Sequence, residues 1–237
     1  MILPRRYSWF VVVASLAVIA FLLLGRWQLG RLSERRVANA SLLARRSLPT
    51  EAAERLARDT AVARFRALRV HGRFDYEHQF IWTARSREGA PGVVFLTPMI
   101  VSDSGPAVLV NRGWAYSADG MAIDEPLWRE AVEDSVVGYA DAFTSGVGPV
   151  FIGREPRRIR RLAFDSLQAR LPYRLLPIIA VQQLGAGPQV EVRHPFRATP
   201  PPLDEGPHRG YALQWFAFAA ITIVGTVAVV QRGRRPE

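Results

Sequence analysis

The 237-residue chain contains no cysteine, and none of its 31 basic residues is a lysine. The first absence excludes disulfides, thiolate chemistry and cysteine-ligated metals. The second excludes Schiff bases and amine nucleophiles. Phosphate-cradling glycine loops are missing, as are H-E-x-x-H and G-x-S-x-G. The four histidines, His71, His78, His194 and His208, never fall at i, i+3 or i+4, so no helical metal site is legible. His71 and His78 are expected to be exposed on either side of a hairpin. Asp124, Glu125, Glu130, Glu133 and Asp134 form an acidic run that reads as a solvated face. No carboxylate pair stands out as an acid–base couple. The expectation is a protein that is not an enzyme.

What the chain does have is arginine and two long apolar runs. The net charge of +10 is scattered along the sequence. Beside membrane segments, such charge suits anionic lipid head groups or an acidic protein partner better than nucleic acid. Residues 7–24 carry no charge and would span roughly 27 Å as a helix, close to the hydrocarbon thickness of a bilayer. Arg5 and Arg6 precede the run and Arg26 follows it. Tyr7, Trp9 and Trp27 sit near its ends, where amphipathic rings favour the interface. The run is long for a signal peptide and lacks an A-x-A-like site, so it reads as an uncleaved anchor. Residues 211–230 form a second run, closed by Arg232, Arg234 and Arg235. Two spans place both termini on one side. Arginines flank the first span on both sides, so charge alone does not choose that side. Neither span carries G-x-x-x-G.

The expected organisation is transmembrane helix 1 at 7–24, a helical connector at 27–63, a mainly β domain at 64–207 and transmembrane helix 2 at 211–230. In the connector, Leu29, Leu32, Arg36, Asn39 and Leu43 share one helical face. Pro49 breaks that helix and residues 51–59 read as a second one. Leu68, Val70, Gly72 and Phe74 alternate with Arg69, His71 and Arg73, the pattern of a half-buried antiparallel strand. Residues 80–83 are its expected partner. Further strands are expected at 93–97 (stopped by Pro98), at 107–110 after the Ser104-Gly105-Pro106 turn, at 136–142 and at 178–183. Residues 165–171 read as one or two helical turns. Short strands at this spacing predict an antiparallel sheet, barrel- or sandwich-like. Residues 195–207 hold five of the chain's prolines and read as extended.

Two clusters merit a functional reading. His208, Tyr211 and Trp215 fall at i, i+3 and i+7 where the second span begins. An imidazole beside aromatic rings in a poorly hydrated site has the properties of an axial haem ligand; an interfacial histidine within an aromatic belt has the same spacing. Asn111-Arg112-Gly113-Trp114 could hold a carboxylate or an aromatic macrocycle through Arg112 and Trp114. The alternative is a turn with a buried tryptophan.

Four stretches resemble the surfeit locus membrane proteins, which assist cytochrome c oxidase assembly. Gly25-Arg26-Trp27-Gln28-Leu29-Gly30-Arg31 looks like that family's G-x-W-Q-L-x-R. Val70-His71-Gly72-Arg73-Phe74 resembles its V-x-G-x-F. Val108-Leu109-Val110-Asn111-Arg112-Gly113-Trp114 matches its V-L-V-N-R-G-[WF]. His208-Arg209-Gly210-Tyr211-Ala212-Leu213-Gln214-Trp215-Phe216 is similar to its H-x-x-Y-A-x-Q-W-[FY]. Gly92 to Pro98 fits a G-[YV]-x-V-x-T-P-like strand. Where many relatives carry W-Y-x-x-D, this chain has Arg161-Leu162-Ala163-Phe164-Asp165. The resemblance implies an assembly factor that helps place haem a in the catalytic subunit of the oxidase. It implies transient haem binding with His208 as the iron ligand, and Tyr211, Gln214, Trp215, Trp27, Gln28 and Arg31 near it. The implied partners are that subunit, haem a synthesis or other assembly factors, and membrane lipid. The implied place is a bacterial inner membrane (mitochondrial in a eukaryote), with the domain on the outer face. A membrane scaffold that binds no haem, docking other proteins through its outer domain, is the alternative.

Overall fold

The computed structural model describes residues 5–101, 105–130, 135–153, 155–184 and 194–233. Ser104, Glu133, Asp134, Arg234 and Arg235 lie outside the described residues, as do the side chains of Arg5, Arg6 and Tyr7. The chain divides into two units, Met1–Leu43 with Pro202–Glu237, and Ala44–Pro201.

The terminal unit is built on two helices. Helix α1 spans Arg5–Arg46 without a break. Its 42 residues measure about 63 Å, twice the hydrocarbon thickness. The uncharged run fills its first half. The second half is rich in Arg, Ala and Leu, all strong helix formers with no proline among them, so the helix continues. The first part of the expected connector is therefore the same helix, and it ends just before Leu48-Pro49, where proline restricts the residue ahead of it. The second terminal helix is named α5 from its place in chain order and spans His208–Arg232. Both helices are long and apolar enough to cross a membrane. Only 11% of the apolar window of α1 and 6% of that of α5 is buried, whereas a core helix of a soluble domain would be mostly covered.

The two helices run antiparallel. Phe21 stacks on Trp215 at 5.8 Å between ring centroids and meets Phe218 at 5.7 Å. A Cβ on Gly25 would lie 2.6 Å from the Phe216 ring. The buried residues of the seam are Ala14, Gly25, Gln28 and Leu32 on α1 and Ala212 and Ala219 on α5. Small residues let the helices approach, as in membrane bundles generally, without a G-x-x-x-G pair. The seam lies one residue away from the face expected of the connector: Leu32 is buried, but Leu29 and Leu43 are exposed.

In the Ala44–Pro201 unit, strand β1 (Glu51–Ala52) leads into two short helices, α2 (Ala53–Leu56) and α3 (Thr60–Ala63). The strands that follow are β2 (Ala67–His71), β3 (Arg73–Phe74), β4 (Phe80–Arg87), β5 (Ala90–Ile100), β6 (Ala107–Tyr116), β7 (Ser135–Asp141), β8 (Phe151–Ile152), β9 (Glu155–Ile159) and β10 (Leu175–Gln182). A 3-10 turn occupies Glu125–Trp128, and helix α4 occupies Phe164–Gln168. The ten strands form one sheet in the order β1-β2-β7-β10-β6-β5-β4-β9-β8, with β3 beside β5.

The sheet is mixed, which corrects the expectation of an antiparallel one. β10 runs parallel to β6, β1 to β2 and β9 to β4. Alternation reports which face a side chain takes and carries no information on strand direction. β10 is apolar up to its terminal Gln182, and β6 is apolar from Ala107 to Val110 before Asn111, Arg112 and Gly113 interrupt it. Such runs mark strands covered on both faces. Val108, Val110, Ile178 and Ala180 enter one core cluster. Leu109, Leu175 and Ile179 enter the other.

Two further expectations change. Residues 80–83 do not pair with the strand that begins at Leu68; β4 lies between β5 and β9. That first strand splits at Gly72, where a Cβ would sit 2.1 Å from the Ile100 carbonyl oxygen, and β3 joins β5 instead. Nor does Pro98 stop a strand, because β5 runs through it. On that side of β5, Leu96 is the last residue paired with β4 and Met99 the first paired with β3. Pro98 falls in the gap, where no ladder bond calls on the N–H it lacks.

Candidate functional site

In the terminal unit, the described residues bring His208 and Gln28 together. The Nδ1 of His208 lies 2.9 Å from Oε1 of Gln28. Gln28 is 9% exposed, in a seam that is otherwise apolar there. The chain ahead of α5 is tied to α1. Arg36 makes a two-point contact with the Glu205 carboxylate at 2.6 and 3.0 Å. Asn39 and Arg35 donate to the Asp204 carbonyl at 2.8 and 3.2 Å. The Asp204 side chain accepts the Gly206 N–H at 3.0 Å, and Gly206 turns the chain at φ +67°. A groove of about 390 Å³, lined by Arg31, Glu34, Arg35, Asp204 and His208, opens beside this turn. Arg31 pairs with Glu34 at 2.5 Å.

The other residues expected near His208 are arranged differently. Trp215 is half-buried on Phe21. Tyr211, Gln214 and Trp27 are exposed, because Ala212 rather than Tyr211 follows His208 on the buried face. Sequence reasoning missed Asp204, Arg35 and Asn39. The only available signal was the Asp204-Glu205-Gly206-Pro207 run, a composition typical of turns.

Arg112 belongs to the Ala44–Pro201 unit and is 0% exposed. A β-bulge explains its inward aim. Phe95 pairs with Gly113 and Leu96 with Asn111, so Arg112 is an extra residue in β6. Asn111 stabilises the bulge by accepting the Gly113 N–H at 3.0 Å. The guanidinium donates to Glu130 at 2.5 and 3.1 Å, to Gln79 at 3.0 Å and to the Trp128 carbonyl. Phe74, Tyr76 and Phe95 surround it, with ring centroids 4.9 to 5.8 Å away. Arg197 also pairs with Glu130 and donates to the Arg112 carbonyl. This guanidinium is thus occupied inside the unit and is not presented to a macrocycle. Trp114 is buried too, against Phe196 and over Gly92. Glu130 was read as part of a solvated face, whereas its side chain is 5% exposed.

A matching family model covers residues 15–220 and is described as the SURF1 family. The chain belongs to the SURF1 family. It is 25% identical over 222 residues to uncharacterized SURF1-like proteins of Mycobacterium bovis and Mycobacterium tuberculosis, covering 91% of this chain and 79% of each relative. In this SURF1 protein the motif stretches sort into two groups. The first and last meet at the Gln28–His208 contact. Those containing Phe74, Phe95 with Thr97, and Arg112 converge on the buried guanidinium. In the Arg161-Leu162-Ala163-Phe164-Asp165 stretch, Phe164 packs edge-on against Phe143 at 5.2 Å.

His71 is exposed, but His78 is half-buried and shares the Asp75 carboxylate with Tyr173, at 2.7 and 2.8 Å. Burial by itself would raise the Asp75 carboxyl, but hydrogen bonds from Tyr173 and His78 leave it below the usual range. Glu130 follows the same pattern. Burial opposes ionisation, yet the hydrogen bond from Arg197 and the charges of Arg112 and Arg197 outweigh it and depress the carboxyl. A depressed carboxyl stabilises the fold above its unfolded value, near 4.3 for Glu and 3.9 for Asp. That stability is lost as the pH falls through the lower folded value. The thermal midpoint in detergent is therefore expected to stay level from pH 7 to about 5 and to fall below about 4. A midpoint unchanged down to pH 3 would contradict this account.

Proposed function

We propose that this SURF1 protein assists the assembly of cytochrome c oxidase by handling haem a on its way into the catalytic subunit. The observation that carries the proposal is the His208 imidazole, which spends Nδ1 on Gln28 and lines an open groove with two guanidiniums. Nε2 has no partner among the described residues. The donor set offers a haem an imidazole nitrogen for iron, and Arg31 and Arg35, which would exchange their contacts with Glu34 and Asp204 for the haem carboxylates. Haem a is the cargo. Tyr211, Trp215 and Trp27 supply aromatic surface, and Gln214 an exposed amide, on the same pair of helices. The chain transforms no substrate. It sits in the inner membrane of a bacterium, or of a mitochondrion, with both tails inside and the β domain on the outer face. There the domain meets the oxidase subunit and the proteins that make or pass on haem a.

The test is a visible absorption spectrum of the detergent-purified protein from cells that make haem a, beside His208→Ala. A Soret band expected in the first should fall at least tenfold in the second. Absence of haem in both, with oxidase still failing to assemble when the protein is deleted, would exclude carriage and leave the scaffold that binds no haem.

A further inference from the structure

The contact between Gln28 and His208 carries a statement about hydrogen placement. An amide oxygen only accepts, so an imidazole Nδ1 at 2.9 Å from Oε1 must carry the hydrogen. The neutral ring then has its lone pair on Nε2, the nitrogen that remains without a partner among the described residues. We infer that Gln28 is a positioning residue, which holds His208 in the single tautomer and ring orientation that leave Nε2 bare to take a metal. The inference rests on the haem-handling reading but concerns a different residue and atom.

The surroundings of Gln28 support a dedicated role. Buried neighbours on the same face of α1 are Gly25 one turn before and Leu32 one turn after. A polar side chain in such a seam is unfavourable unless it is hydrogen-bonded, and leucine would fill the position without that penalty. Gly25 makes room for Phe216, which brings the start of α5 against this part of α1. The main chain just ahead of His208 is held independently by Arg35, Arg36 and Asn39. Backbone position and ring orientation thus have separate supports, and Gln28 supplies only the second. Removing its oxygen should free the ring while leaving the helix pair assembled. Hydrogen bonds to the distal nitrogen of a ligating histidine also raise its basicity, and their loss typically weakens metal binding 10- to 100-fold.

The experiment uses the full chain in lipid nanodiscs, unsubstituted and as Gln28→Leu, Gln28→Glu and His208→Ala. In the haem-free protein labelled with 15N-histidine, the His208 signals are assigned by their loss in His208→Ala. The expected spectrum has a protonated Nδ1 and a bare Nε2, becoming a mixture of tautomers in Gln28→Leu and restored in Gln28→Glu. Titration with haem should then show affinity reduced at least tenfold in Gln28→Leu, with a shifted iron–histidine stretching band in the Raman spectrum. An unchanged tautomer in Gln28→Leu overturns the inference, whatever haem does. Haem binding lost in His208→Ala but unaltered in Gln28→Leu overturns it too, while leaving haem handling intact. A tautomer that depends on Gln28 in a chain that binds no haem upholds the positioning role and defeats the haem reading.

Discussion

Replacing Glu130 by alanine is expected to destabilise the β domain by about 3–5 kcal/mol. Its carboxylate lies between two guanidiniums that are themselves 0% and 7% exposed. Removing it leaves two cations in a poorly hydrated interior, and their repulsion and lost hydration set the size of the effect. Arg112 would keep Gln79 and the Trp128 carbonyl, which satisfy hydrogen bonds but not charge. For a unit of this size the loss corresponds to a fall of about 10 °C in thermal midpoint. The comparison is Arg36→Ala, which breaks an exposed pair with Glu205 and should cost under about 1 kcal/mol. If both variants melt within about 2 °C of the unsubstituted protein, the buried triad does not stabilise the fold as described.

Gly113→Ala should be nearly as damaging, at about 3 kcal/mol, for a reason of shape. The residue sits at φ +117°, and a Cβ would lie 2.3 Å from the Phe196 carbonyl oxygen. That oxygen accepts the Trp114 N–H at 2.9 Å, and the Phe196 N–H returns to the Trp114 carbonyl at 2.7 Å. A methyl group therefore pushes the Phe196 segment off β6, breaks both bonds and draws Arg197 away from Glu130. Because both substitutions act through Arg197, Gly113→Ala combined with Glu130→Ala should lose less than the sum of the two. Denaturant unfolding followed by tryptophan fluorescence measures this directly. Additivity within about 0.3 kcal/mol would mean that the bulge and the triad are independent.

The motif N-R-G-W thus had a legible composition and an illegible role. Arginine, glycine and tryptophan at a strand end read either as a ligand site or as a turn with a buried tryptophan; Trp114 is buried, but nothing local records a bulge that turns Arg112 inward. Its partners Gln79, Glu130 and Arg197 are 33, 18 and 85 residues away. The same limit applies to strand direction. Period-two alternation found the strand that begins near Leu68, and short runs spaced by turns placed β5 and β7 within a few residues of their observed bounds, but parallel pairing depends on crossovers that leave no local pattern. The two apolar helices were legible because length and composition define them without reference to partners. Around His208, helical spacing put Tyr211 on the same stripe but could not show that Ala212 is the buried neighbour, since the buried face is chosen by α1 and only the fold brings α1 there. Gln28 entered through the resemblance alone, and its hydrogen bond to His208 is a property of two helices together.

The two halves of the His208 site are separated by 180 residues. At 5–20 residues per second, a ribosome needs roughly 10–40 s to pass from one to the other. The strands of the sheet are synthesised during that interval, and the imidazole follows only after the last of them. The contact between the two side chains therefore forms only after the sheet has been made. A chain cut short by a stop codon after residue 201 could fold its sheet and still be inert. In such a layout, order of synthesis withholds the second half of the helix pair until the sheet it brackets has been made.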